Sequence, residues 1–235
     1  MSNLIIVESE NDQYFIEALI DNLNLPNIKV GIPICKIDDF DCLGGYTKLT
    51  ANLQSLKLDK YSKIGIILDA DEVGIIKRVS FINETLKSIC TDVTLDKINQ
   101  LKKSNILDLS IACYITNVDG QGELETVMRK IKSQNSIYAD CLTEWKKCLT
   151  EQGKIIKDKE FDKVWVSNYL KYDTCIGKDR HQKSKKCANE LINNTANINE
   201  VENNLMSNTK TIKKNIWNFD DPILKELKIF LKLFN

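Results

Sequence analysis

The chain has 235 residues, 43% of them hydrophobic, and its 33 basic and 33 acidic side chains cancel to a formal net charge of zero. That length fits one domain with additions, and the neutral balance excludes a long-range field that would draw in nucleic acid, so such binding needs a local basic surface or a bound metal. The eight cysteines, at 35, 42, 90, 113, 141, 148, 175 and 187, form no Cys-x-x-Cys pair, which excludes a zinc ribbon and a thioredoxin motif. The first residues show no signal-peptide pattern, so the cysteines are expected to be reduced thiols of a cytoplasmic protein. No apolar stretch reaches the roughly 20 residues of a membrane helix, and no membrane partner is expected.

In chain order, Leu4-Ile5-Ile6-Val7 reads as a strand buried on both faces, and it stops at Glu8. Residues 11–24 carry Tyr14, Phe15, Ala18, Leu19, Ile20 and Leu23 at helical spacing, with Asn11 or Asp12 as candidate cap. A second strand is expected over 28–35, a loop ending in Gly44-Gly45, and a helix over 47–58. The run Ile64-Gly65-Ile66-Ile67-Leu68 predicts a third strand, which stops at Asp69-Ala70-Asp71. Residues 73–89 predict a helix with Val73, Ile76, Val79, Ile82, Leu86 and Ile89 on one face. A strand over 107–115 follows, then the turn Asn117-Val118-Asp119-Gly120-Gln121-Gly122. This alternation argues for an α/β fold with a parallel sheet of about four strands and helices on both faces. Helices are expected over 123–132, 136–151 and 160–171. A polar stretch over 178–214 holds the basic run Lys-Asp-Arg-His-Gln-Lys-Ser-Lys-Lys at 178–186. The stripe Ile223, Leu224, Leu227, Phe230, Leu231 and Phe234, opened by Asp220-Asp221-Pro222, predicts a terminal amphipathic helix.

Two apolar strands ending in bare carboxylates point to one site, because ligands of open α/β sheets bind at the carboxyl ends of strands. Concentrated negative charge there needs a proton or a cation, and Mg²⁺ suits hard oxygen ligands. An Asp-x-Asp on extended backbone sets Asp69 and Asp71 on the same side, about 6–7 Å apart. The structural explanations are a capped helix at Asp12 and an acidic turn at Asp69–Asp71. Two such clusters on one sheet make that joint explanation less attractive. Glu123 and Glu125 are either dipole-favoured acids in a first helical turn or further ligands, Glu125 preferred. Gly44-Gly45-Tyr46-Thr47-Lys48 lacks Walker A spacing. A glycine loop entering a helix still presents N–H groups to phosphate, and Lys48 is a candidate backbone contact. Lys183, Lys185 and Lys186 are candidate phosphate contacts that compensate for the acidic site. Cys175, His181 and Cys187 make a poor zinc pattern.

The strand ending in Glu8, a helix starting near Asp12, and the strand ending in Asp69-x-Asp71 resemble the Toprim domain of topoisomerases, bacterial primases and overcoming-lysogenization-defect nucleases. The segment over 4–20 with Asp12, Tyr14 and Phe15, the Gly44-Gly45 loop and the stripe from Trp217 to Phe234 are most similar to small stand-alone bacterial Toprim proteins. One departure is Ser9 where glycine usually follows the first Glu; it removes no carboxylate. The resemblance covers about residues 3–125, and implies a Rossmann-like Toprim sheet with strands one and three adjacent at its switch point. A Toprim-like metal-binding core over 1–125 and a helical C-terminal extension over 126–235 packed on it are therefore expected. The resemblance further implies Mg²⁺ (or Mn²⁺) held by Glu8, Asp69 and Asp71, with Asp12 and Glu125 in support. The expected activity is phosphodiester cleavage of DNA or RNA. An ATPase partner in a phage-defence system is also expected, since the chain has no nucleotide-binding loop of its own. A non-catalytic module that binds nucleic acid or a partner and retains the acidic site is the alternative.

Overall fold

A computed structural model describes residues 2–31, 34, 48–174, 195–198, 210–213 and 216–235. The chain divides into two compact units, Met1–Val127 with Asp220–Asn235, and Met128–Phe219. The terminal helix therefore belongs to the first unit, together with the segment that carries the acidic motifs.

That first unit is α/β. In chain order it holds β1 (Ser2–Ile6), α1 (Glu10–Asn22), β2 (Ile28–Val30), α2 (Leu49–Ser55), β3 (Tyr61–Asp69), α3 (Gly74–Lys87), β4 (Lys102–Ser104) and β5 (Leu109–Thr116). The strands lie in the order β2-β1-β3-β5-β4, a Rossmann-like arrangement. Pairs β1–β2, β1–β3 and β3–β5 are parallel. The chain steps outward from β1 to β2, then crosses back to β3 on the other side of β1, so the switch point of the sheet lies between β1 and β3.

Burial explains why these runs are strands. Leu4, Ile5, Ile6 and Val7 are all buried, and so are Ile64, Ile66, Ile67 and Leu68. Both central strands are covered on both faces, which is why their sequences are continuous apolar runs without alternation. On one face Leu4, Ile6, Ile64, Ile66, Leu68, Ile111 and Cys113 form a core with Leu49 and Leu53 of α2 and Val79, Ile82 and Leu86 of α3.

The other face receives the C-terminal helix α7 (Lys225–Lys232). It follows a 3₁₀ turn over Pro222–Leu224, where Asp221 accepts from the Ile223 N–H at 3.0 Å and proline occupies the first turn. Gly65 makes the seat: a Cβ there would lie 2.6 Å from Ile5, 2.8 Å from Phe234 and 2.9 Å from Phe230. Phe230 packs on Tyr114 at 5.8 Å and on Phe234 at 5.1 Å between ring centroids. Polar groups lock the end of the chain, with Lys63 Nζ donating to the Leu233 carbonyl at 2.7 Å and Asn3 donating to the Phe234 carbonyl. Gly65→Val should therefore destabilise the protein by about 1–3 kcal/mol through overpacking, read as a lower urea midpoint at an unchanged slope. An unchanged midpoint would mean that the helix does not depend on this close approach.

Three expectations are corrected. The sheet has a fifth strand, β4, antiparallel to β5. Its sequence, Lys-Lys-Ser, has no apolar run because it is a short edge. What holds it is Asp92, whose carboxylate accepts from Ser104 Oγ (2.8 Å) and from the N–H groups of Asn105 (2.6 Å) and Ile106 (3.1 Å). Next, α3 is rotated about its axis relative to the predicted stripe. Ile76 is 86% exposed and Val73 is exposed too, while Arg78 and Thr85 are buried beside Val79, Ile82 and Leu86. Third, α1 is capped by Ser9, with neither Asn11 nor Asp12 at the cap position.

The second unit contains α5 (Ile137–Glu151) and α6 (Asp158–Asn168); the preceding helix, α4 (Leu124–Lys130), has residues in both units. The expected extension is helical, but the unit also holds a two-stranded antiparallel sheet of β6 (Thr195–Ile198) and β7 (Lys210–Lys213). Its aromatic core stacks Trp165 on Tyr169 (5.2 Å) and sets Trp217 against Tyr169 in a tilted contact (5.3 Å). Tyr169 Oη donates to the Ile216 carbonyl at 2.9 Å, and Arg129 pairs with Asp162 at 2.8 Å. Cys90, Cys113, Cys141 and Cys148 are free thiols. No helix among the described residues is long and apolar enough to cross a membrane.

Candidate acidic site at the carboxyl edge of the sheet

In the register of β1 and β3, Ile5 lies opposite Gly65 and Ile6, the last residue of β1, opposite Ile66, while β3 runs on to Asp69. Glu8 follows β1, and Asp69 closes β3. Glu8 Oε2 accepts from the backbone N–H of Asp69 at 3.3 Å, so the two ends converge on one point at the switch.

Asp12 joins them through the start of α1. Ser9 is the N-cap of a full capping box. Its N–H and its hydroxyl donate to Asp12 Oδ2 at 2.9 and 2.6 Å, and the Asp12 N–H donates back to Ser9 Oγ at 3.3 Å. Serine after Glu8 therefore has a local purpose: it fixes the helix start and turns Asp12 inward. Asp12 is only 4% exposed. Burial lifts its carboxyl to about 7 against the lowering effect of the Ser9 hydrogen bonds, and repulsion from Glu8 and Glu125 adds to the rise.

The loop after β5 brings two more acids. Glu125 stands in the first turn of α4 and accepts from Asn11 Nδ2 at 3.4 Å. Glu123, just before that helix, is 2% exposed. Gly122 makes this approach possible: its φ is +92°, and a Cβ there would lie 2.9 Å from Thr126 Oγ1.

Asp69 is the centre of the field. It is held well above the usual carboxylate range by burial first, then by Asp12, Glu8, Glu125 and Glu123. Its Oδ1 is sealed from solvent and has no hydrogen-bond partner. A buried acceptor in that state is costly.

Asp71 is placed differently. Its carboxylate is ion-paired to Arg78 of α3, with side-chain exposures of 17% and 5%. Arg78 is the group that reading the sequence missed. It lies between apolar positions of a helical stripe, and only the rotation of α3 buries it. Lys48 flanks the start of α2 and is partly buried. Gly44, Gly45, Tyr46 and Thr47, and the basic run over 178–186 with His181, Lys183, Lys185 and Lys186, lie outside the described residues.

Among the described residues, no group of three or more His, Cys, Asp or Glu side chains stands ready to hold a metal ion. The donor chemistry still fits a hard divalent cation. Burial first, and then repulsion from neighbouring carboxylates including Glu8 and Glu125, raises Asp12 and Asp69, and the sealed Asp69 oxygen lacks a partner. A cation that drew these side chains together would satisfy that oxygen and relieve the repulsion.

Fold and site together define an α/β protein with a Rossmann-like sheet and an acidic centre at its switch point. The chain belongs to the family described as Protein of unknown function (DUF3226), which matches residues 2–235. No curated protein and no solved structure matches it.

Proposed function

We propose that this chain is a Mg²⁺- or Mn²⁺-dependent nuclease of the Toprim type, acting on DNA or RNA in the cytoplasm, with an ATPase partner in phage defence. The observation that carries the reading is the sealed, unpartnered oxygen of Asp69 among Glu8, Asp12 and Glu125, at the carboxyl ends of β1 and β3. That edge is where open α/β sheets place their chemistry, and its excess negative charge calls for a cation.

Glu8 and Asp69, supported by Asp12 and Glu125, would hold the ion. A divalent ion bound there supplies Lewis acidity, activation of water at neutral pH and stabilisation of a leaving oxygen. The chain's own residues set the rest. The capping box orients Asp12, and the backbone of Asp69 orients Glu8. Lys48, with Lys183, Lys185 and Lys186 of the basic run, would meet the phosphate backbone, which positions the substrate without reading its sequence.

The direct test incubates plasmid, single-stranded DNA and transfer RNA with the protein and Mg²⁺ or Mn²⁺, alone and with a co-encoded ATPase. Cleavage should require the metal and disappear in Asp69→Asn. Lys183→Glu, Lys185→Glu and Lys186→Glu together should weaken substrate binding and reduce its salt dependence while metal binding persists. If cleavage is absent in every combination, the protein is the non-catalytic module instead.

A further inference from the structure

We infer that Asp71 is not a metal ligand in this chain but, together with Arg78, forms the latch that positions the loop delivering Glu123 and Glu125 to the acidic site. The inference rests on the metal-binding reading of that site and says which carboxylates belong to it. Asp71 sits one residue past β3 with a φ of +49°, a left-handed conformation that aspartate tolerates better than most side chains. In that conformation its backbone faces the loop after β5. The Asp71 N–H donates to the Gly122 carbonyl at 2.8 Å, and the Gly122 N–H donates back to the Asp71 carbonyl at 3.0 Å. The Ala70 N–H donates to the Thr116 carbonyl at 2.9 Å, so the end of β3 grips both sides of that loop. The loop closes itself through Val118 and Gln121, whose N–H and carbonyl groups pair at 2.7 and 3.2 Å. It then runs directly into Glu123 and Glu125.

The Asp71 side chain meanwhile reaches Arg78, four residues into α3 and 5% exposed. A guanidinium at that depth requires a counter-charge. Drawing Asp71 to a divalent ion would pull its carboxylate from Arg78 and set the ion beside a buried cation. Two observations on different atoms thus agree: the backbone of Asp71 holds the loop, and its carboxylate holds Arg78. The Asp-x-Asp spacing is preserved, but only its first member faces the centre.

A double-substitution cycle read by Mn²⁺ decides it. Melting temperature and Mn²⁺ affinity (by electron paramagnetic resonance) are measured for wild type, Asp71→Asn, Arg78→Met, the double variant and Asp69→Asn. Arg78→Met alone should lower the metal-free melting temperature by roughly 10 °C, because the mostly buried Asp71 carboxylate loses the guanidinium that faces it. Neutralising both partners should recover most of that loss and should restore Mn²⁺ affinity to within about threefold of wild type, whereas Asp69→Asn loses Mn²⁺ altogether. If Arg78→Met does not fold, Arg78→Gln, which also removes the charge, replaces it in the cycle with the same expected recovery. A double variant that melts like wild type yet binds no Mn²⁺ would overturn the latch and return Asp71 to the ligands. Losses in melting temperature that simply add would overturn it as well. Wild type that binds no Mn²⁺ sinks the metal reading instead, and the metal-free cycle still judges the latch.

Discussion

Mg²⁺ at about 10 mM should raise the melting temperature of this protein by roughly 5–10 °C, the effect of a ligand present at a hundredfold over its dissociation constant, or about 2.7 kcal/mol. The reasoning starts from Asp69, whose sealed oxygen has no partner and whose charge is opposed by Asp12, Glu8, Glu125 and Glu123. Folding without a cation concentrates these carboxylates against their repulsion, and the unfolded chain does not. A cation that binds only the folded state removes that disadvantage. Asp69→Asn should abolish the shift and also raise the metal-free melting temperature, since the opposed charge is gone. Scanning calorimetry with and without Mg²⁺ measures both. No shift in wild type, or a lower metal-free melting temperature in Asp69→Asn, would mean that the cluster is satisfied without a cation.

Without metal, the protein should become more stable as the pH falls from about 8 to about 5.5, contrary to the common loss of stability in acid. Asp12 is near 3.8 in the unfolded chain and about 7 in the folded one. Between those values the folded state binds a proton that the unfolded state releases. Stability therefore decreases as pH rises through that window and levels off above it. Asp69, also raised by burial and by its acidic neighbours, acts in the same direction. Asp12 alone should contribute on the order of 2 kcal/mol over this range, seen as a melting temperature about 4–8 °C higher at the acid end. Asp12→Asn should make the profile shallower, because its amide can still accept from Ser9 but cannot titrate, while Asp69 still contributes. Added Mg²⁺ should reverse the slope, since protons then compete with the ion for the same oxygens. A metal-free profile that falls steadily on acidification would contradict the buried, crowded position of Asp12.

Much of this protein was legible in its sequence, and the reasons are local. Leu4-Ile5-Ile6-Val7 and Ile64-Gly65-Ile66-Ile67-Leu68 announce buried parallel strands because covering on both faces demands apolar residues at every position. Glu8 and Asp69 are conspicuous because each ends such a run. Asp221-Pro222 marks the start of the terminal turn through capping chemistry. Tertiary structure decided the rest. That β1 and β3 are neighbours, and that Glu8 therefore meets the Asp69 backbone, depends on the crossover past β2. The strand β4 exists because Asp92 collects three donors from a turn, a contact between segments that no periodicity records. Asp69 and Asp71 are equivalent as letters in an Asp-x-Asp motif. They differ in the fold because the backbone turns left-handed at Asp71 and the rotation of α3 brings Arg78 to it. Periodicity determined which segments would be buried. Only the packing of those segments determined which carboxylates face one another and which one faces an arginine, since charges interact through space and take no account of their separation along the chain.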